Sequence, residues 1–277
     1  MLLIGLTGSI ATGKSTVSSF LSSPPHSLPV IDADLLARRV VEPGTRSYRK
    51  IVAYFGPTTP DLLVEDRDGK YRGMGGPPLN RPALGRRVFG NSEERIKDRK
   101  VLNSLVHPAV RFEMTKAILY YYLRGHWAAV LDIPLLFESG LDIFCGTVLI
   151  VAVSDPVIQM KRLLERDPHL SLEEAENRVR SQTDVREKAK RVEGRSASGR
   201  GFVIWNDKGK EELKTEVAKV MEAVKSKSPK WRAYLLLLLP PLAAGLSIWS
   251  VLRAWLERRR WAARQETDKP SESVGAG

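Results

Sequence analysis

The stretch Leu2-Leu3-Ile4-Gly5-Leu6-Thr7-Gly8-Ser9-Ile10-Ala11-Thr12-Gly13-Lys14-Ser15-Thr16 decides the fold. Its first six residues are a short uncharged run, the pattern of a strand buried on both faces of a parallel sheet. Gly8 to Ser15 then fits G-x-x-x-x-G-K-[ST], and a helix is predicted from Lys14 to about Leu21, broken by Ser22-Ser23-Pro24-Pro25. Strand, Gly-rich loop and helix come in the order that phosphate binding needs. Glycines let successive backbone N–H groups turn toward phosphate oxygens, and the helix N-terminus adds partial positive charge. Lys14 is the side chain placed to reach β- and γ-phosphates, and the Ser15 hydroxyl is the one placed to ligate Mg²⁺. Gly8, Ser9, Ile10, Ala11, Thr12, Gly13, Lys14, Ser15 and Thr16 are therefore the candidate nucleotide contacts. The motif alone selects neither the nucleotide nor between a kinase and a switch GTPase.

Outward from this loop, short apolar runs alternate with helical patterns. Leu28 to Asp32, Ala128 to Ile133, Thr147 to Val153 and Gly201 to Trp205 read as further strands. Between them, Asp34 to Val41 reads as a helix. Leu79 to His107 and Pro108 to Arg124 read as mainly helical, and Gly209 to Ser226 as an amphipathic helix. Asp155-Pro156 has the N-cap and first-turn residues of a helix start, and Ser171-Leu172-Glu173-Glu174 is a capping box. Residues 56–80, rich in Gly, Pro and Asp, and the basic Gly/Ser-rich stretch 187–201 read as exposed loops. The expected fold is α/β: a parallel sheet of the P-loop NTPase type with helices on both faces.

Composition narrows the function. The 277 residues are 43% hydrophobic and 27% charged, enough for one large α/β domain or two small ones. A single cysteine, Cys145, excludes an intrachain disulfide framework and suits a reducing compartment; its expected role is a small buried hydrophobe. No Cys/His cluster has zinc spacing. The net charge is +12, of which residues from Pro229 onward supply +4. The rest is spread over 228 residues without a long basic run, which argues for a domain handling anionic nucleotides and against nucleic-acid binding. The chain enters a strand directly after Met1, so a signal peptide is not expected and the kinase region is expected to be cytoplasmic.

Ile31-Asp32-Ala33-Asp34 puts two acids at the carboxyl end of a strand, where α/β sheets bind ligands. Asp34 has the chemistry to accept the proton of an attacking hydroxyl. Asp32 has that to hold Mg²⁺ or its waters, or to cap the next helix. With the runs GLTGSIATGKSTV, VIDADLLARRVVEPGT, NRPALGRRVF, HPAVR, LDIPLLFESGLD, QMKRLLERD and VIWN, in that order from Leu3 to about Glu222, the chain resembles the dephospho-CoA kinase family.

The resemblance implies ATP-dependent phosphorylation of the ribose 3′-hydroxyl of dephospho-CoA, with ATP and Mg²⁺ and no nucleic-acid partner. By position it implies Asp34 as base, with Leu135 and Glu138 on the acceptor side. It also implies a helical acceptor-binding insert over about 60–126 containing His107 and Arg111. A lid over about 162–185 would carry Arg162, Arg166 and Arg178, and Asn206 would lie near the adenine. Simpler roles stand beside these: a helix junction at His107-Pro108, a solvated face for the arginines, and a strand-end structural acid at Asp132. Residues 69–78 and 194–201 depart from the family pattern, as does Trp205-Asn206, where an acid more usually precedes the Asn.

Residues 1–228 form the expected kinase region, and 229–277 differ in kind. Positions 234–252 carry no charge, lie between Arg232 and Arg253, and have Trp231, Tyr234, Trp249 and Trp255 near their ends. A bilayer span needs about 20 apolar residues, so a C-terminal membrane helix is expected, with a packed or interfacial helix as the alternative. Among rival functions, another small-molecule kinase would not need VVEPGT or PLLFESGLD. A regulatory GTPase would carry Asn-Lys-x-Asp, which Asn206-Asp207-Lys208-Gly209 is not, and an inactive membrane scaffold would not need the intact loop and Asp34.

Overall fold

The computed structural model describes residues 1–66, 69–71, 73, 75–180, 185–196 and 199–228, with 245, 246, 248, 249, 251–256 and 259. The strands are β1 (Leu2–Gly8), β2 (Val30–Asp32), β3 (Ala128–Asp132), β4 (Thr147–Ala152) and β5 (Gly201–Trp205). The helices are α1 (Lys14–Ser22), α2 (Ala33–Arg39), α3 (Arg46–Phe55), α4 (Arg81–Val88), α5 (Glu93–Leu123), α6 (Pro156–Arg166), α7 (Leu172–Arg180), α8 (Val185–Glu193) and α9 (Lys210–Lys227). Two compact units emerge: residues 1–30 with 121–277, and residues 31–120. The second unit begins at Ile31, well before the insert boundary expected near 60.

The sheet follows the order β2-β3-β1-β4-β5, with parallel pairing of β1 to β3, β1 to β4 and β4 to β5. The chain crosses from one side of β1 to the other between β3 and β4. The carboxyl end of β1 is therefore a topological switch point, where ligands bind in open α/β sheets. On one face Ile4, Leu6, Val130, Leu149, Val151 and Ile204 pack with Val17 and Leu21 of α1 and Leu213, Val217, Met221 and Val224 of α9. The spacing of those four α9 residues makes one helical stripe, and burying each contributes about 1.5–3 kcal/mol. Gly5 faces the other way, where a Cβ would meet Cys145 Sγ and Leu136 Cδ2, both at 2.7 Å. Burial pushes the Cys145 thiol up to about 12, so it is an inert core group, as its composition-level reading expected.

Three expectations are corrected. Residues 187–201, read as an exposed loop, contain most of α8, in which Lys188, Ala189 and Val192 are buried. Lys188 is accommodated because Glu138 Oε1 lies 2.6 Å from its Nζ, and Arg195 because Asp142 Oδ2 lies 2.9 Å from its Nη2. Pairing is what lets charge enter a core. Second, α5 runs unbroken through Pro108. That proline withdraws one helix donor, the one that would reach the Ser104 carbonyl, and its site on the helix is solvent-exposed. Third, the 56–80 segment is not wholly irregular. A 3₁₀ turn covers Gly56–Thr58, and Leu63 and Leu79 form an antiparallel bridge that closes the longer loop at its base.

The second unit has its own core of Tyr48, Ile51, Phe55, Leu62, Leu79 and Val88, backed by Leu102, Leu105 and Val106 of α5. Both predicted helix starts in the first unit hold. Asp155 accepts from Val157 N–H at 2.8 Å, and Ser171 and Glu174 exchange backbone-to-side-chain bonds at 2.9 and 3.2 Å. The predicted span 234–252 lies largely outside the described residues. Among those described, no helix is long and apolar enough to cross a membrane.

Candidate active site

Pairing of Leu6 with Asp132 and of Gly8 with Val151 fixes what surrounds the loop after β1. Two glycines are required there by space. A Cβ on Gly8 would lie 2.8 Å from the Val151 carbonyl oxygen and 2.9 Å from Thr12 Oγ1. One on Gly13, at φ 92°, would lie 2.3 Å from Asn206 Nδ2. Thr12 braces the loop from within, donating its hydroxyl to the Ser9 carbonyl at 2.9 Å. Gly13 begins α1 without any side-chain cap, so the first N–H groups of that helix are presented to a ligand. Ser9 Oγ is buried and has no hydrogen-bond partner among the described residues. An orphaned hydroxyl inside a loop rich in turned amides is what a phosphate oxygen would satisfy. The cradle therefore fits the phosphates of a nucleotide.

Lys14 Nζ pairs with Asp132 Oδ1, a carboxylate only 4% exposed at the end of β3. This gives Asp132, which the sequence reading takes as a strand-end structural acid, a definite place beside the loop. Asn206 does not present its amide outward toward a base. It is buried, and Nδ2 donates to the Thr12 carbonyl at 2.9 Å, so it supports the phosphate loop from behind.

Arg162 is committed to the same region: its guanidinium donates to the carbonyls of Asn206 at 2.7 Å and Lys208 at 3.0 Å. Arg166 and Arg178 gather on Asp167, at 2.9 and 3.7 Å. The hydrogen bond from Arg166 holds the Asp167 carboxyl below its ordinary range. Leu135 is half-exposed, whereas Glu138 is occupied by Lys188. The PLLFESGLD run thus has a structural use: Leu136 and Phe137 are buried, Arg191 stacks 4.4 Å from the Phe137 ring centroid, and Glu138 and Asp142 hold α8.

In the second unit, Asp32 is the N-cap of α2. Its Oδ1 accepts from Asp34 N–H at 2.8 Å and Leu35 N–H at 2.9 Å. Asp34 lies exposed in the first turn. The VVEPGT run builds the turn from α2 into α3, with Gly44 at φ 84° and Thr45 as N-cap of α3 through Tyr48 N–H at 3.2 Å. That turn walls a cavity of about 670 Å³. Arg39, Arg46 and Lys50 supply cations, and Leu36, Leu105 and Phe112 supply apolar surface. Pro108 lines it, while His107 and Arg111 do not; both are exposed on α5. Sequence reasoning missed Arg39 of α2 and Arg46 and Lys50 of α3, which form no continuous run and meet only where the two helices wall the cavity.

A parallel sheet with a phosphate loop at its switch point, a lysine on that loop and a helical second unit defines a P-loop kinase. A family model described as dephospho-CoA kinase matches residues 2–195. The dephospho-CoA kinase CAB5 of Saccharomyces cerevisiae is 41% identical over 225 residues, covering 81% of this chain and 83% of that protein. The dephospho-CoA kinase of Bacillus cereus is 44% identical, covering 79% and 96%. A solved structure of dephospho-CoA kinase from Campylobacter jejuni superposes with a TM-score of 0.57 at 26% identity, covering 81% and 97%. The chain belongs to the dephospho-CoA kinase family. Its reaction is the family's, ATP-dependent phosphorylation of dephospho-CoA in coenzyme A synthesis.

Proposed function

We propose that the ribose 3′-hydroxyl of dephospho-CoA attacks the γ-phosphorus of ATP in line, with Asp34 taking its proton and Lys14 balancing charge on the phosphoryl oxygens. The observation that carries this reading is the loop from Gly8 to Ser15, with its orphaned Ser9 hydroxyl, uncapped helix start and Lys14–Asp132 pair. Asp132 pairs with Lys14 and so holds its ammonium beside the loop. Arg166 supplies lid charge once it leaves Asp167. Arg162 acts from behind, fixing the backbone that carries Asn206.

Ser15, exposed in the first turn of α1, and the carboxylate of Asp32 are the groups proposed to hold Mg²⁺. Held there, the ion would supply positive charge that offsets the charge of the nucleotide phosphates. No cluster of three or more His, Cys, Asp or Glu suited to a metal occurs among the described residues. The cavity of the second unit has a chemistry matched to the acceptor, with cations for its diphosphate and apolar wall for its pantetheine arm. Leu135, Glu138, His107 and Arg111 remain proposed acceptor contacts by family position. A coupled assay of ADP release tests the reading: turnover with dephospho-CoA should far exceed that with adenosine or nucleoside monophosphates. Equal rates across these acceptors would refute it.

The tail is proposed to attach the kinase to an intracellular membrane through 234–252. Its uncharged length, basic flanks and interfacial aromatics support this, as do Leu246, Ile248, Trp249 and Leu252, all substantially exposed to solvent. Alkaline carbonate extraction should leave the full chain in the pellet and release residues 1–228. Release of both would reduce the tail to a packing or interfacial helix.

A further inference from the structure

The phosphate loop is held by two buried amide side chains from different elements. Gln159, 5% exposed on α6, donates from Nε2 to the Ile10 carbonyl at 2.7 Å. Asn206, after β5, donates to the Thr12 carbonyl. Both rest on α6: Gln159 directly, and Asn206 because Arg162, one turn further along α6, binds its backbone carbonyl. Ile10 and Ala11 also pack against Leu163, Leu170 and Ala175 of the lid segment.

A trans peptide directs its C=O and N–H oppositely. Fixing the Ile10 carbonyl on Gln159 therefore turns the Ala11 N–H away from that side chain. Ala11 has φ 58°, a left-handed conformation that a residue with a Cβ adopts only at a cost. The Ile10–Ala11 peptide thus has a competing orientation in which its carbonyl, rather than an N–H, meets the phosphates. A buried donor of fixed position selects against that orientation.

We propose that Gln159 is a positioning residue for the phosphate loop, setting the Ile10–Ala11 peptide so that its N–H faces the β- and γ-phosphates. This rests on the loop being the ATP-phosphate cradle. Position 159 needs a donor and not merely volume. Leu would fill the space without donating, and Glu would keep the shape while replacing the donor with an acceptor and placing negative charge beside the phosphates.

The test is calorimetric titration of the full chain with ADP, alongside KM for both substrates, in Gln159→Leu and Gln159→Glu. ADP binding by the wild type checks the cradle by itself. The ADP dissociation constant should rise about tenfold in Gln159→Leu and further in Gln159→Glu, with KM for ATP following and KM for dephospho-CoA changing less than about twofold. A purely structural role would lower the melting temperature and leave this split unmoved. If Gln159→Leu does not fold, Gln159→Glu carries the test. Wild-type ADP affinity in a folded variant, or equal loosening toward both substrates, overturns the proposal.

Discussion

Lys14→Ala should lower kcat by about 10³-fold, equivalent to about 4 kcal/mol of barrier. The ammonium is the loop's only cationic side chain, and charge on the transferring phosphoryl group is spread over its equatorial oxygens. The structure adds a second consequence. Lys14 pairs with the buried carboxylate of Asp132, so Lys14→Ala strands that carboxylate and should also lower the melting temperature. The two effects separate in a cycle. Adding Asp132→Asn to Lys14→Ala removes the stranded charge and should restore much of the melting temperature while leaving turnover low. Turnover near that of the wild type in Lys14→Ala would mean that this loop is not the active site.

What was legible beforehand divides along a physical line. Patterns carried by neighbours in sequence were readable: the five strands, the phosphate loop, the Asp155 cap and the Ser171–Glu174 box each depend on residues within a few positions. What depends on a distant partner was not. Lys188 and Arg195 made 187–201 look solvated, because nothing local announces that Glu138 and Asp142, about 50 residues earlier, receive them. The same holds for Asn206 and Gln159. An amide near an apolar strand or helix gives no sign that its partner is a loop carbonyl nearly 200 or 150 residues away. Pro108 misled in the other direction. Its local rule predicts a break, yet in a 31-residue helix with a solvent-exposed site the loss of one hydrogen bond is outweighed by packing elsewhere along α5. Arg162 and Arg166 show a related limit. Their spacing on α6 was plain, but only the fold separates Arg162, bound to backbone carbonyls, from Arg166, paired with its neighbour Asp167.

The proposed base is tested by Asp34→Asn, which should reduce kcat about 10²–10⁴-fold while leaving ATP binding largely intact. Asn preserves size and polarity but takes no proton. Its effect on α2 should be small. Asp34 stands in the first turn, where loss of a negative charge costs about 0.3–1 kcal/mol, and the N-cap is supplied by Asp32. That division of labour provides the control. Asp32→Asn keeps a side chain that caps nearly as well, so its melting temperature should stay close to that of the wild type. If Asp32 holds Mg²⁺, this variant should instead need more Mg²⁺ for half-maximal turnover. The two acids are two residues apart on one turn and differ in role: Asp32 keeps a helix start and is proposed to hold a cation, whereas Asp34 is proposed to receive a proton. An Asp34→Asn enzyme that loses ATP affinity yet turns over normally at saturation would reverse the assignment and make Asp34 the metal or capping group.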